Sequence, residues 1–244
     1  MRRKPILLGL GVLLLLTAVA AGGLGLLASH EPAFFRNAAV PEGPERKRAS
    51  AECLNALMAL YQDIQGKPEW GAEITQHQLN SFLAEDFLYH HLNEMLPAGV
   101  SDPRVTIDRE RVRLGFRYGT GRWSTLVSVE FNAWLASKEY NVIVLELLGL
   151  HAGALPISVQ TFMDSLSEFA ARVNQRHDRL LEVSWYRKDG HPVALLKLHP
   201  DQPRPMRQLK QLVLDEGRLI LTGHYRPSTA ARALPPSALV PAGN

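Results

Sequence analysis

The sequence contains a single cysteine, Cys53, which excludes an intrachain disulfide framework and any metal site built from several thiolates. It also lacks a nucleophile elbow, a phosphate-binding loop, a dinucleotide fingerprint and a metal-ligand signature at the required spacings. The glycine pair in 119–121 joins two strand patterns and is typical of a turn. The sequence therefore predicts a protein that is not an enzyme and uses no cofactor.

The larger part of the chain lacks an excess of positive charge. The formal net charge is +3, from 27 Lys/Arg and 24 Asp/Glu. Residues 1–49 alone hold seven of the basic residues and only three of the acidic ones. The remaining residues are therefore nearly neutral. Nucleic-acid binding requires clustered positive charge that neutralises phosphates, so the sequence predicts no nucleic-acid partner.

One long segment carries no charge, the 23 residues from Ile6 to Ala28. As a helix with a rise of 1.5 Å per residue it spans about 35 Å, enough for a hydrocarbon core of about 30 Å. Basic residues at positions 2–4 favour a cytoplasmic N-terminus. The segment predicts a single-pass cell-membrane protein whose domain lies in the periplasm or outside the cell.

A cleaved signal peptide is the alternative for this segment. Residues 18–20 form a small-x-small cleavage site after a shorter apolar stretch. The apolar run continues to Leu27, beyond that site, and this favours the uncleaved anchor in residues 1–28.

The rest of the chain is divided by composition. Residues 29–49 combine prolines with a charge cluster and are interpreted as a juxtamembrane linker. Residues 50–226 are assigned to one extracytoplasmic domain, and the Pro/Ala-rich tail 227–244 is predicted to be disordered.

The domain opens with two helical patterns. Ser50 is the predicted N-cap of the first helix, which closes at Gly66. Thr75, with Gln78 as its capping-box partner, opens a second helix that continues to a stop at Pro97.

Strand patterns follow on both sides of a long helical pattern. The predicted strands lie in a hairpin around 108–110, in 125–135, in 140–150 and in two later hairpins that turn at 189–190 and 215–217. Between them, apolar residues from Val159 to Val173 fall at helical spacing. This order lacks strict βαβ alternation, so the predicted fold class is α+β, with an antiparallel, curved sheet packed on a long amphipathic helix.

The strand from Val142 to Leu150 is apolar on both of its faces except at Glu146. Either both sides are covered, as in a core strand, or one side lines an apolar groove. The residues that would line such a groove are Ile143, Leu145, Leu147, Phe162, Met163, Leu166 and Phe169.

Two polar patterns are candidates for binding. Arg111, Arg113 and Arg117 alternate with apolar residues, and such a face is suited to anionic lipid headgroups or a protein partner, with an ordinary solvated sheet face as the alternative. Asp86, His90 and Glu94 share one helical stripe, the arrangement of a metal site, but a solvated helix face is favoured and no metal is predicted.

A phrase at the start of the second helix resembles a known family. The phrase consists of Ile74, Thr75, Gln78, Leu79 and Asn80, and a closing hairpin runs through 212–219. With the N-terminal membrane helix, this order of elements over 70–225 resembles the YpmS-like family of anchored extracytoplasmic bacterial proteins. That family is similar to half-size tubular lipid-binding (TULIP) domains, and the resemblance implies a curved antiparallel sheet around a long helix with a groove for an acyl chain.

These observations lead to one leading hypothesis and one alternative. The leading hypothesis is a membrane-anchored extracytoplasmic domain that binds lipid or another hydrophobic ligand, in envelope maintenance or lipid transfer. The alternative is a structural or scaffold protein that docks a partner in an envelope complex.

Overall fold

The computed structural model describes Gly23, Leu27 and residues 29–89, 99–121, 124–158, 181–188, 190–198 and 206–226. The helices in these residues are α1 (Ala33–Asn37), α2 (Pro44–Gly66), α3 (Gln76–Ala84) and α4 (Asp86–Tyr89). The strands are β1 (Glu69–Thr75), β2 (Val100–Asp108), β3 (Arg111–Tyr118), β4 (Thr125–Leu135), β5 (Val142–Ala152), β6 (Leu155–Pro156), β7 (Leu181–Lys188), β8 (His191–Leu198), β9 (Arg207–Asp215) and β10 (Arg218–Tyr225).

The strands form two antiparallel sheets. The smaller sheet has the order β1-β10-β9, and the larger has the order β2-β3-β4-β5-β8-β7, with β6 paired to β5. Each pairing is antiparallel. The predicted class, an α+β domain built on antiparallel sheet, is therefore confirmed.

The larger sheet has one apolar face because side chains alternate along each strand and the registers bring like positions together. We call this the apolar face; among its residues are Ile107, Leu114, Phe116, Val127, Val129, Phe131, Leu135, Ile143, Leu145, Leu147, Leu150, Val183, Ala194 and Leu196. At its centre a buried cluster is formed by Val127, Val129, Leu147 and Leu150, with Phe116, Phe131 and Ile157 packed against it.

The strand predictions agree closely with the structure. The predicted strand 125–135 is β4, and the hairpin predicted around 108–110 is β2–β3, with Glu110 at a positive φ of 60° in the turn. The strand predicted over 140–150 is β5, shifted by two residues at each end. These segments are predictable because their two-residue periodicity is local.

The capping box at α3 is also confirmed. The backbone N–H of Gln78 donates to Thr75 Oγ1, and the Gln78 side chain accepts from the backbone N–H of Thr75. Helix α3 ends at Ala84, however, and α4 follows as a separate short helix. The prediction of one uninterrupted helix from Thr75 to Pro97 is therefore wrong at Glu85, where the helix breaks. Residues 90–98 lie outside the described part of the chain.

Side chains of α3 cover the outer edge of β2. The Asn80 amide donates to the Val105 carbonyl over 2.8 Å and accepts from the Val105 N–H over 2.7 Å. Gln76 Oε1 accepts from the N–H of Ile107 over 2.8 Å. These amides satisfy backbone groups that an additional strand would otherwise pair.

The two sheets are joined through Asn141, which lies between β4 and β5 with a positive φ of 58°. Its side-chain amide donates to the Arg207 carbonyl over 2.9 Å and accepts from the Leu209 N–H over 2.7 Å. A second link is the bond from the Glu110 N–H to the Leu214 carbonyl, at 3.2 Å. Strand β9 is therefore held against the larger sheet near both of its ends.

The start of the first long helix differs from the prediction. Helix α2 begins at Pro44, and Ser50 lies inside it, buried, with its hydroxyl donating to Asp86 Oδ2 over 2.6 Å. The assignment of Ser50 as N-cap is therefore wrong. Helix α1 and the first turns of α2 also fall in the segment interpreted as a linker, so 29–49 is in part helical and packed.

Several predicted elements lie outside the described residues. These are the long helix Val159–Val173, the tail 227–244 and the predicted anchor Ile6–Ala28 apart from Gly23 and Leu27. Within the described residues, no helix combines the length and apolar character needed to cross a bilayer.

Candidate functional site

The three groove residues predicted on β5 lie on the apolar face. Ile143 pairs with Leu135 of β4, and its neighbours Leu145 and Leu147 occupy the next same-face positions. Leu147 is 3% exposed, whereas Ile143 and Leu145 are half-buried. The remaining predicted groove residues, Phe162, Met163, Leu166 and Phe169, lie outside the described part of the chain.

The opposite face of β5 is also covered in its first half. Val142 is 1% exposed and Val193, on the neighbouring strand β8, is 0% exposed. Both faces of β5 therefore contain buried side chains, which explains why its sequence is apolar on two sides. On the apolar face, Ile143 and Leu145 retain partial exposure.

The three predicted headgroup arginines lie together on the opposite face, where each one pairs with a carboxylate. Arg113 lies 2.8 Å from Asp108. Arg111 lies 3.2 Å from Glu130. Arg117 lies 3.1 Å from Glu31. A headgroup or a protein partner would therefore compete with carboxylates of the same domain for these guanidinium groups.

The segment before α2 covers much of this arginine surface. Phe35 of α1 is 0% exposed and fills a notch at Gly115 of β3, where an added Cβ would lie 2.6 Å from its ring. The guanidinium of Arg104 stacks over the Phe35 ring at 4.1 Å and donates to the Phe35 carbonyl over 2.9 Å. That of Arg117 lies 5.7 Å from the same ring. Cation–π contact and burial thus fix this segment to the sheet.

Sequence reasoning missed this contact. The available signals were the two adjacent phenylalanines, Phe34 and Phe35, in a stretch otherwise rich in charge, proline and alanine, and Gly115 in the middle of a strand. A glycine inside a strand often marks a place where another group approaches closely.

The contact extends toward the predicted anchor. The backbone N–H of Ala154, after β5, donates to the Leu27 carbonyl over 2.8 Å. The chain from Leu27 to Phe35 is thereby attached to the sheet at both ends.

A cavity of about 360 Å³ lies between this segment and the sheet. Its walls include His30, Arg113, Ser128, Glu130 and His151. A second cavity, of about 400 Å³, lies where the end of β4 meets β9 and is lined by Trp134 and residues 212–214 among others.

Candidates for nucleophilic or metal chemistry in the residues that the structure describes are the Cys53 thiol and Asp86 of the predicted stripe. No group of three or more metal-ligating side chains is found there. Of the predicted stripe, Asp86 accepts from the Ser50 hydroxyl, while His90 and Glu94 lie outside the described residues. The Cys53 thiol is 0% exposed, and burial, with a smaller contribution from the Asp86 charge, raises its pKa to about 11.

We expect native Cys53 to react with a disulfide reagent at pH 8 at least about 100-fold more slowly than the same thiol in 8 M urea, because the native thiol is inaccessible to the reagent and is not ionised to the reactive thiolate.

The raised pKa also has a consequence for stability. The unfolded thiol ionises near its model value of 9.0 and the folded one near 11. Stability from this group is therefore complete below pH 9 and decreases as the pH rises through 11.

Thiol labelling and urea unfolding at pH 8 and pH 10.5 test both statements, with Cys53→Ala as the control that removes the thiol. A native labelling rate equal to the rate in urea would show that the thiol is accessible. An equal pH dependence in the alanine variant would assign the alkaline loss of stability to other groups.

No family model, curated protein or solved structure matches this chain.

Proposed function

We propose that this protein is a membrane-anchored extracytoplasmic domain that binds lipid or another hydrophobic ligand on the apolar face of its larger sheet. Envelope maintenance or lipid transfer is the context that suits such a domain. In this proposal residues 6–28 form the anchor and the helix predicted over 159–173 packs on the apolar face, as in the tubular lipid-binding domains that the sequence resembles.

The observation that carries the proposal is the extent of the apolar face. It runs from β2 to β7 without a charged side chain among its inner strands β4, β5 and β8. The half-buried residues Ile143 and Leu145 lie beside Leu135 and Leu196 on this face. Partly exposed apolar side chains beside a covered apolar core are the usual lining of sites for apolar ligands.

The attachment of the chain near Leu27 supports the same proposal. Since Ala154 holds the Leu27 carbonyl, the predicted end of the anchor and the end of β5 are adjacent. A domain attached in this way stays close to the bilayer, where acyl chains are available.

Photocrosslinking in cells tests the proposal with the full chain. Cells expressing it are grown with a fatty acid that carries a diazirine, irradiated, and the crosslinked peptides of the purified protein are identified by mass spectrometry. We expect crosslinks in the peptide with Ile143 and Leu145 in addition to the anchor peptide 6–28, which serves as the internal positive control.

Adjacent leucines of β8 provide a matched pair of variants. Leu196 lies on the apolar face and Leu195 on the opposite face, and both are half-buried. Leu196→Gln is expected to lower the β5 crosslink yield several-fold, whereas Leu195→Gln leaves it unchanged. Crosslinks restricted to residues 6–28, or an equal loss in both variants, would refute an acyl site on the apolar face.

A further inference from the structure

The cavity beneath the segment 29–34 has ionisable walls of both signs. His30, His151 and Arg113 contribute imidazole and guanidinium donors, and Glu130 contributes a carboxylate. Arg111 pairs with Glu130, and Arg113 pairs with Asp108 and, at a longer distance, with Glu130. The two guanidinium charges are therefore balanced by two carboxylates. The site is therefore close to neutral before a ligand binds, which suits a zwitterion better than an anion.

Two features of β5 place an imidazole beside this carboxylate. Gly149 is the direct cross-strand partner of Glu130, and Ser128 is the partner of His151. The His151 ring leans toward Gly149, since a Cβ added there would lie 3.2 Å from its Cε1 atom. Directly opposed Cβ positions lie about 5 Å apart across an antiparallel pair, so Glu130 and Gly149, toward which the imidazole leans, are neighbours on this face.

The cavity also lies at the predicted membrane end of the domain. His30 follows Ala28, the predicted end of the anchor, by two residues, and an extended chain covers at most about 3.6 Å per residue. Ala154, which bonds to the Leu27 carbonyl, forms part of the cavity wall together with His30. A lipid headgroup beside the anchor would therefore be within reach of the cavity.

We propose that this cavity binds a phosphate ester that carries a primary ammonium group, the phosphoethanolamine group of a membrane lipid or of a free ester. The phosphate accepts hydrogen bonds from the imidazoles of His30 and His151 and from Arg113. The ammonium donates to Glu130. The lipid form of this ligand rests on the membrane anchorage proposed above, whereas binding of the free ester does not.

The assignment predicts that related compounds bind less tightly. Bare phosphate brings no cation for Glu130 and adds negative charge to a cavity whose guanidinium groups are already paired with Asp108 and Glu130, which disfavours it. Choline phosphate presents a quaternary ammonium that has no N–H to donate, so the carboxylate loses a charge-assisted hydrogen bond. Specificity therefore depends on Glu130, and affinity for the phosphate depends on the histidines.

Calorimetric titration of the full chain in phosphatidylcholine nanodiscs tests the site with soluble probes. O-phosphoethanolamine is expected to bind at least about tenfold more tightly than choline phosphate or inorganic phosphate. Glu130→Gln is expected to remove that preference. Gly149→Ala, whose added methyl would crowd the His151 ring and shift it by a few tenths of an ångström, should weaken binding of O-phosphoethanolamine and of inorganic phosphate alike.

His191→Ala serves as the matched control, because His191 is exposed at the start of β8 and does not line the cavity. Circular dichroism of each variant establishes that it is folded. Equal affinity for the three probes, no binding of any, or an unchanged preference in folded Glu130→Gln would overturn the proposal.

A second arm identifies the source of the group. If the lipid headgroup occupies the cavity, phosphatidylethanolamine added to the discs weakens binding of the soluble probe, and an unchanged affinity overturns the lipid source in favour of a free ester. Failure of the chain to enter discs would count against anchorage. Normal insertion without probe binding would count against this cavity alone.

Discussion

Replacing Phe35 with alanine is expected to lower the free energy of unfolding by about 3–5 kcal/mol, the usual range for a fully buried phenylalanine. Phe35 loses all solvent contact by filling the Gly115 notch under Arg104. Without the ring, the Arg104 guanidinium loses its cation–π partner as well. The segment that contains α1 should then detach from the sheet more readily.

The same contact is tested from the sheet side with Gly115→Ala. The added methyl would lie 2.6 Å from the Phe35 ring and cannot be accommodated without displacing it. In the Phe35→Ala background that clash is removed and only a contact of 3.3 Å with the Phe34 ring remains, so the effects of the two substitutions should be strongly non-additive. Gly66→Ala is the control, since an added Cβ meets nothing within 4 Å and the backbone is helical there.

Urea unfolding of the full chain in detergent, followed by circular dichroism, measures these stabilities, and limited proteolysis reports release of 29–43. Additive effects of Phe35→Ala and Gly115→Ala would show that the ring and the glycine do not meet. Unchanged protease resistance in Phe35→Ala would show that other contacts suffice to hold the segment.

The local elements of this fold could be predicted because their determinants lie close together in the sequence. The alternation in β4 identifies its two faces within eleven residues. The capping box needs only Thr75 and Gln78, three positions apart. The same local reasoning placed Ile143, Leu145 and Leu147 on one face.

Elements defined by distant partners could not be predicted in this way. Strand β1 contains a glycine and shows little alternation of apolar and polar residues. Its partner β10 lies about 150 residues further along the chain, and Trp70 of β1 pairs with Gly223 of β10. Helix α1 is held by Gly115 and Arg104, which come from strands far along the sequence. The prolines and charges around α1 therefore suggested a linker, although its two aromatic side chains are packed.

The candidate sites show the same division. Alternation in β3 correctly grouped Arg111, Arg113 and Arg117 on one face, but it carried no information about their carboxylate partners. The cavity with His30 and His151 depends on the folding back of a segment more than 100 residues away. His30 and His151, which lie far apart in the sequence, therefore share a cavity.

The smaller sheet contains a second aromatic–glycine contact with an equally large expected effect. Trp70 of β1 is 7% exposed, and its indole lies across Gly223 of β10, where an added Cβ would lie 2.0 Å from ring atom Cζ2. A displacement of the ring by a few tenths of an ångström cannot relieve such an overlap. Gly223→Ala is therefore expected to expel the indole and to lower the free energy of unfolding by about 3–5 kcal/mol, as for loss of a buried tryptophan.

Since β9 links the smaller sheet to Asn141 of the larger one, the effect should reach both sheets. Trp70→Ala and Gly223→Ala remove the same packing, so the double variant should be no less stable than the worse single variant. Hydrogen exchange measured by mass spectrometry should show faster exchange in 69–75 and 207–225 of the smaller sheet and in 142–152 of the larger sheet. If Gly223→Ala unfolds with the wild-type midpoint, the indole does not lie over this glycine, and the pairing of β1 with β10 must be held by other side chains.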